Sequence, residues 1–176
     1  GTAENVKSGK YKISRPFNLC YYDGKLSKLA EDLINFIMSD EGQKTVDKEG
    51  YISVESGKPY KASGLKGKIT VAGSTSVAPL MNVIADEYKK LNPGVTIEIQ
   101  ESGSTAGIQS ATEKAVDIGM SSRELKDDEA KTLATKKIAM DGIAVIVNKN
   151  NSIDNLTSDQ IKSIYLGETT SWDHIK

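Results

Sequence analysis

The sequence is poor in the residues that most enzymes and metal sites depend on. A single cysteine, Cys20, rules out an intrachain disulfide and a thiolate metal cluster. The one histidine, His174, lies near the end of the chain, so Ser-His and Cys-His catalysis lack their base. Charge of one sign is missing too: 23 Lys and Arg stand against 24 Asp and Glu, scattered among one another, which argues against a nucleic-acid surface. No apolar run reaches the roughly 20 residues needed to cross a bilayer. The opening "GTAENVKSGKYKIS" lacks the apolar core of a signal peptide, so the chain is expected to be soluble, whatever leader or anchor it had.

What is present is a set of well-marked elements in 176 residues, enough for one medium domain or two small lobes. "YKISRPFNLCYY" reads as extended, with Pro16 suggesting an edge strand or an early end. In "SKLAEDLINFIMSDEGQKTVDKEGYI" the positions Leu29, Ala30, Leu33, Phe36 and Ile37 form one helical face capped by Ser27. Ser39 caps a second helix there, and Gly50 can end it in a left-handed conformation. Residues 53–68, rich in Gly, Pro, Ser and Lys, read as a linker or long surface connection with little to bury.

Strands and helices then alternate, as expected of an α/β unit with a mixed, mostly parallel sheet flanked by helices. "KITVAG" is a strand, "VAPLMNVIADEYKKL" a helix, "VTIEIQES" a strand, "AGIQSATEKAV" a helix and "DIGMSS" a buried strand. Leu125 to Leu133 read as a helix, "DGIAVIVNKN" as an apolar strand, "TSDQIKSIYLG" as a capped helix stopped by Gly167, and "TTSWDHI" as a tail.

Three strand ends share one composition. Gly73 is followed by Ser74, Thr75 and Ser76, with Pro79 in the next helix's first turn. The second strand is followed by Gly103, Ser104, Thr105, Ala106 and Gly107, and the third ends in Ser121, Ser122 and Arg123. A helix start exposes unpaired N–H groups and the positive end of its dipole, and hydroxyls add further donors. In an open α/β sheet the loops at the carboxyl ends of neighbouring parallel strands lie side by side, so the three turns would cradle one small oxyanion. Taken singly, each turn reads first as an ordinary N-cap, and it is the coincidence of three that favours the cradle. Arg123 suits either solvent or an anion. Trp172, Tyr11, Tyr21 and Tyr22 read as packing groups, and Asp141 as a turn or strand-start residue.

The run from "ITVAGSTSVAPLMNVIADEYKKLNPGVTIEIQESGSTAGIQSATEKAVDIGMSSRELKDDEA" through "IAMDGIAVIVNKNNSIDNLTSDQIKSIYLGETTSWDHI" resembles the first half of the phosphate-binding proteins of bacterial phosphate ABC transporters, in their Gram-positive form. "KYKISRPFN" and "LAEDLINFIMSDEGQKTVDKEGYI" resemble the same family's final segment. The resemblance implies a periplasmic-binding-protein-like lobe in circularly permuted order. Residues 1–54 would carry the family's C-terminal part, 55–68 the linker, 69–142 the N-terminal part of lobe one, and 143–176 a crossing strand with the start of lobe two. "DGIAVIVN" and "KYKISRPFN" resemble the paired hinge strands, and most of the second lobe has no counterpart here.

It further implies inorganic phosphate as ligand, held by Thr75, Ser76, Ser104 and Ser122 with Arg123, and supported by Ser74, Gly103 and Thr105. Many relatives have an aspartate at the third turn. Ser122 takes its place here, which removes that route to phosphate-over-sulfate selectivity. No metal, cofactor or catalysis is expected, and a nucleophile elbow is absent. Implied partners are a transporter permease and, for a half-site, a second copy. The implied location is the extracellular face of a Gram-positive membrane, in a family often lipid-anchored. A structural or assembly protein that completes its fold by domain swapping or dimerisation is the alternative.

Overall fold

The computed structural model describes residues 2–55 and 57–175. Its chain forms two compact units, Gly1–Gly142 and Ile143–Lys176.

The first unit is built on a six-stranded sheet of order β2-β6-β1-β5-β3-β4. Its strands are β1 (Ser14–Tyr22), β2 (Ile52–Ser53), β3 (Gly67–Gly73), β4 (Val95–Glu101), β5 (Ile118–Ser121) and β6 (Leu133–Gly142). Only the pairs β3–β4 and β3–β5 are parallel. The pairs β1–β5, β1–β6 and β2–β6 are antiparallel. The sheet is therefore mixed, and its parallel part is confined to the end that carries the three hydroxyl-rich turns, a correction to the mostly parallel expectation. The cause is β1, which arrives from the start of the chain and runs against both neighbours.

Pro16 does not mark an edge strand, because β1 lies between β5 and β6. The proline is tolerated since β5 pairs only with Asn18–Cys20, leaving no ladder bond on that side for its missing N–H to break.

Strand alternation sorts the core onto two faces. Phe17 and Leu19, Ile69 and Val71, and Ile118 and Met120 point into the larger cluster with the apolar faces of α2 (Lys28–Ile37), α3 (Asp40–Lys48) and α4 (Ala78–Leu91). Cys20 points the other way, to Ile108 and Ala111 of α5 (Ser104–Thr112) and to Leu133. Ser27 and Ser39 cap α2 and α3 as their positions predict, accepting from Ala30 N at 3.1 Å and Gly42 N at 3.2 Å. Gly50, at φ 82°, follows α3 in the left-handed region. A short helix α1 (Ala3–Lys7), not anticipated from the sequence, precedes β1.

The described residues of the connection, 54–55 and 57–66, are irregular but tied down. Tyr60, half-buried, lies edge-on to Phe36 at 5.1 Å between centroids. One carboxylate oxygen of Asp32 accepts from the hydroxyls of Tyr60 (2.6 Å), Tyr88 (2.6 Å) and Ser63 (2.8 Å). The expectation of little to bury misses this tyrosine, whose ring joins the core while its hydroxyl meets a partner.

Two further readings are corrected. Leu125 to Leu133 is not a helix: a 3-10 turn spans Glu129–Lys131, and Leu133 already begins β6. The strand expected over "DGIAVIVNKN" stops at Gly142, so Asp141 closes a strand rather than opening one. Its partner β1 starts at Ser14, opposite Gly142, so beyond that pair β1 offers no ladder. Asp141 is held there by Arg15 at 2.8 Å.

The second unit contains α6 (Ser158–Tyr165), opened by a Thr157–Gln160 capping box and followed by Gly167 at φ 75°. A 3-10 turn over Trp172–His174 follows. Ile146 (88 % exposed), Tyr165 (81 %) and Leu166 (62 %) lie open to solvent.

Candidate functional site

The carboxyl ends of β3, β4 and β5 are fastened to one another by backbone hydrogen bonds. Ser102 N and Gly103 N both donate to Gly73 O, at 2.9 and 2.8 Å, and Ser74 N donates to Met120 O at 2.9 Å. Such closeness requires glycine. A Cβ on Gly107 would lie 2.5 Å from Gly73 Cα and 2.6 Å from Ala72 O, and a Cβ on Gly119 would lie 2.6 Å from Gly107 O. The helix α5 thus presses its first turn directly onto the end of β3. Gly103, at φ 85°, makes the bend that aims it there.

The hydroxyls of these turns are not spent on capping. The starts of α4 and α5 have Val77 and Gly103 at the N-cap, and neither makes a side-chain cap bond. Ser74 is buried and turns its carbonyl back to Val77 N and Ala78 N, both at 3.1 Å. Thr75 is exposed and Ser76 half-buried, and among the described residues neither hydroxyl has a partner. The amides of Ser104, Thr105 and Ala106 likewise meet no acceptor among the described residues, as the first turn of a helix dictates, and neither do those of Thr75 and Ser76 in the turn just ahead of α4.

The second and third turns touch through their serines. Ser122 N donates to Ser104 Oγ at 3.1 Å, and the two hydroxyl oxygens stand 3.3 Å apart. The third turn has no helix behind it and is braced by side chains instead. Ser121 Oγ donates to Arg123 O at 2.8 Å and accepts from Arg123 N at 3.2 Å. Buried Asn18 of β1 donates through Nδ2 to Arg123 O and to a Glu124 carboxylate oxygen, both at 3.1 Å.

Arg123 sits beside the cradle with both terminal nitrogens on one carboxylate. Its Nη1 and Nη2 donate to the two oxygens of Glu129 at 2.8 Å each, and Nη1 also reaches Glu124 O at 3.0 Å. This fork-to-fork bond outweighs the opposing cost of burial and, with the Lys126 amide on the same carboxylate, holds the Glu129 carboxyl down to about 2 and raises the guanidinium. Sequence reading missed Glu129 and Asn18. A helix over this stretch would have set positions 123 and 129 on different faces. Nothing in the sequence alone marks Asn18 among the apolar residues of β1.

The arrangement can therefore bind an anion through neutral dipoles: amides at two helix starts, free hydroxyls, and no uncompensated positive charge. Asp117 serves the scaffold, accepting from Thr70 N at 2.7 Å and Thr70 Oγ1 at 2.9 Å. Among the described residues no group of His, Cys, Asp and Glu could hold a metal ion, and no helix is long and apolar enough to cross a membrane.

Comparison with known proteins agrees with the resemblance noted in the sequence. A PBP superfamily domain matches residues 58–175. The phosphate-binding protein PstS 2 of Streptococcus agalactiae is 46 % identical over 175 residues, 99 % of this chain and 60 % of that protein. The phosphate-binding protein PstS of Pseudomonas aeruginosa is 37 % identical over 113 residues, only 60 % of this chain. A crystal structure of a phosphate-binding protein of a phosphate ABC transporter from Streptococcus pneumoniae superposes with a TM-score of 0.96 at 43 % identity, covering all of this chain and 68 % of that one. The chain thus spans about 60 % of the length of the streptococcal relative it matches in sequence. It belongs to the PBP superfamily and, within it, to the family of phosphate-binding proteins of phosphate ABC transporters.

Proposed function

We propose that this chain supplies one lobe of a solute-binding protein for inorganic phosphate, and that Thr75, Ser76, Ser104 and Ser122 contact the anion. The observation that carries this reading is the joining of three strand ends whose hydroxyls are free of capping duty, with Ser104 and Ser122 in direct contact. The names of its relatives support phosphate as the guest. Ser74, Gly103 and Thr105 shape the turns. Arg123 acts beside the anion, its charge tempered by Glu129.

Each charge-assisted bond is worth about 1.5–3 kcal/mol, so a single lobe binds far more weakly than a closed pair of lobes. The rest of the reading follows from the family: a second lobe closing over the anion, delivery to a transporter permease, and a place at the extracellular face of a Gram-positive cell. We also read the segment order as permuted. Identity that spans 99 % of this chain in the streptococcal relative but 60 % in the Pseudomonas one supports an order shared with the former.

Calorimetric titration of phosphate, with Thr75→Ala/Ser104→Ala as comparison, tests the site. Loss of binding in the double variant is expected, and unchanged heats would sink the assignment. A second reading, assembly with another copy, is favoured by the exposed Ile146, Tyr165 and Leu166. A mass in sedimentation that stays monomeric at every concentration would exclude it.

A further inference from the structure

Two of the three turns stand on helices that hold their backbone in place, α4 behind the first and α5 behind the second. The third has only irregular chain until the short turn at Glu129, so its conformation depends on side chains. Among those from outside the loop, Ser104 meets the Ser122 amide and Lys137 the exposed Glu124 carboxylate, while Asn18 holds the backbone carbonyl of Arg123. Asn18 is 1 % exposed, on a central strand, and directly opposite Ser121 in the β1–β5 register.

Its amide nitrogen reaches Arg123 O and Glu124 on the far side of Ser122. Ser121 Oγ grips the same carbonyl. Ser122 is thus suspended between a fixed residue before it and a fixed carbonyl after it, with its N–H delivered to Ser104.

We infer that Asn18 is a positioning residue for the anion site: through the carbonyl of Arg123 it holds Ser122 in the orientation in which that serine meets Ser104 and the ligand. The inference rests on the phosphate-site reading above. It also gives the only buried polar side chain of β1 a role in recognition, exerted through the Arg123 carbonyl because Asn18 itself is closed off from solvent. A leucine would fit the strand's apolar pattern better, and a buried polar group persists at a cost unless its bonds are used.

The test is an amide-detected NMR titration of the chain with inorganic phosphate. The variants are Asn18→Asp, which sets a carboxylate against the carbonyl and Glu124, and Asn18→Ala, which deletes the donor with less strain and serves if the first variant does not fold. Either substitution is expected to shift the amides of residues 121–124 without ligand and to weaken phosphate binding by about tenfold, the worth of one lost bond.

In a Ser122→Ala background the same substitution is expected to change affinity by less than about twofold, since its effect passes through Ser122. A tenfold loss that persists in that background overturns the proposal, as does full affinity in a folded Asn18 variant. Failure of the unmodified chain to bind phosphate at all overturns the phosphate reading and this proposal together.

Discussion

Ser104 and Ser122 are joined twice, by an amide-to-hydroxyl bond of 3.1 Å and a hydroxyl contact of 3.3 Å. Ser104 Oγ has one lone pair taken by Ser122 N. Whichever hydroxyl donates to the other, the pair turns one hydrogen and at least one lone pair outward. On the proposed reading hydrogenphosphate would use both, whereas sulfate would leave the lone pair facing an anion.

The expected preference of the unmodified pair is accordingly small, about fivefold for a bond worth about 1 kcal/mol. Ser122→Asp should raise the phosphate-to-sulfate affinity ratio by a further tenfold or more, because a carboxylate accepts the ligand's proton and repels a fully ionised anion. Competition titrations with both anions measure the ratio, and an unchanged value would place Ser122 outside the contact shell.

Gly107→Ala should destabilise the fold by about 1–3 kcal/mol, as overpacking does. The obstacles are backbone atoms, Gly73 Cα and Ala72 O, which cannot rotate away. Since the same contact sets the first turn against the second, anion affinity should fall with stability. Urea unfolding together with titration checks both, and a neutral result in both would show that α5 can shift without consequence.

Acid stability should carry the mark of Glu129. Its carboxyl is lowered from 4.5 to about 2 by the bidentate Arg123 bond. A depressed carboxylate stabilises the fold fully above its unfolded value and loses that contribution as pH falls through the folded value. The window is therefore from about 4.5 down to about 2. Glu129→Gln should lower stability at neutral pH and flatten the pH dependence in this window, read from thermal melts at stepped pH. An acid limb identical to that of the unmodified chain would contradict the assignment.

Asp32→Asn should cost about 1–3 kcal/mol, because one oxygen accepts three hydroxyls and an amide replaces a charged acceptor by a neutral one. Tyr88, whose phenol is pushed upward by burial and by Asp32, should then ionise more readily. Alkaline ultraviolet titration of the tyrosines reports that change, and chemical denaturation the first. No loss of stability would mean that the segment over residues 57–66 is held by other contacts.

Much of this was legible in the sequence. Apolar spacing placed α2 and α4, and Ser27, Ser39 and Thr157 announced helix starts that the structure caps as expected. The three turns were visible because Gly and hydroxyl residues punctuate strand ends. Pairing was less visible. Sequence pattern cannot tell that β1 runs against both neighbours, nor that Arg123 reaches Glu129 across an irregular loop. Tyr60 and Asn18 were hidden for the same reason: each is explained by a partner distant along the chain, Asp32 for one and Arg123 for the other.

The position of β1 also bears on how the chain reaches this state. Residues 67–121 can assemble β3, α4, β4, α5 and β5 through neighbours close in sequence. By contrast β1, which precedes both its partners in the sequence, pairs Asn18 with Ser121 and Ser14 with Gly142, so its two ladders close loops on the order of a hundred residues. Such contacts form late because loop closure must precede their reward. A strand that precedes both its partners in the sequence is then expected to be inserted after them, between two edges that wait for it. Pulse-labelled amide exchange during refolding should show protection in β3 and β5 before β1, and the third turn should order only when Asn18 arrives.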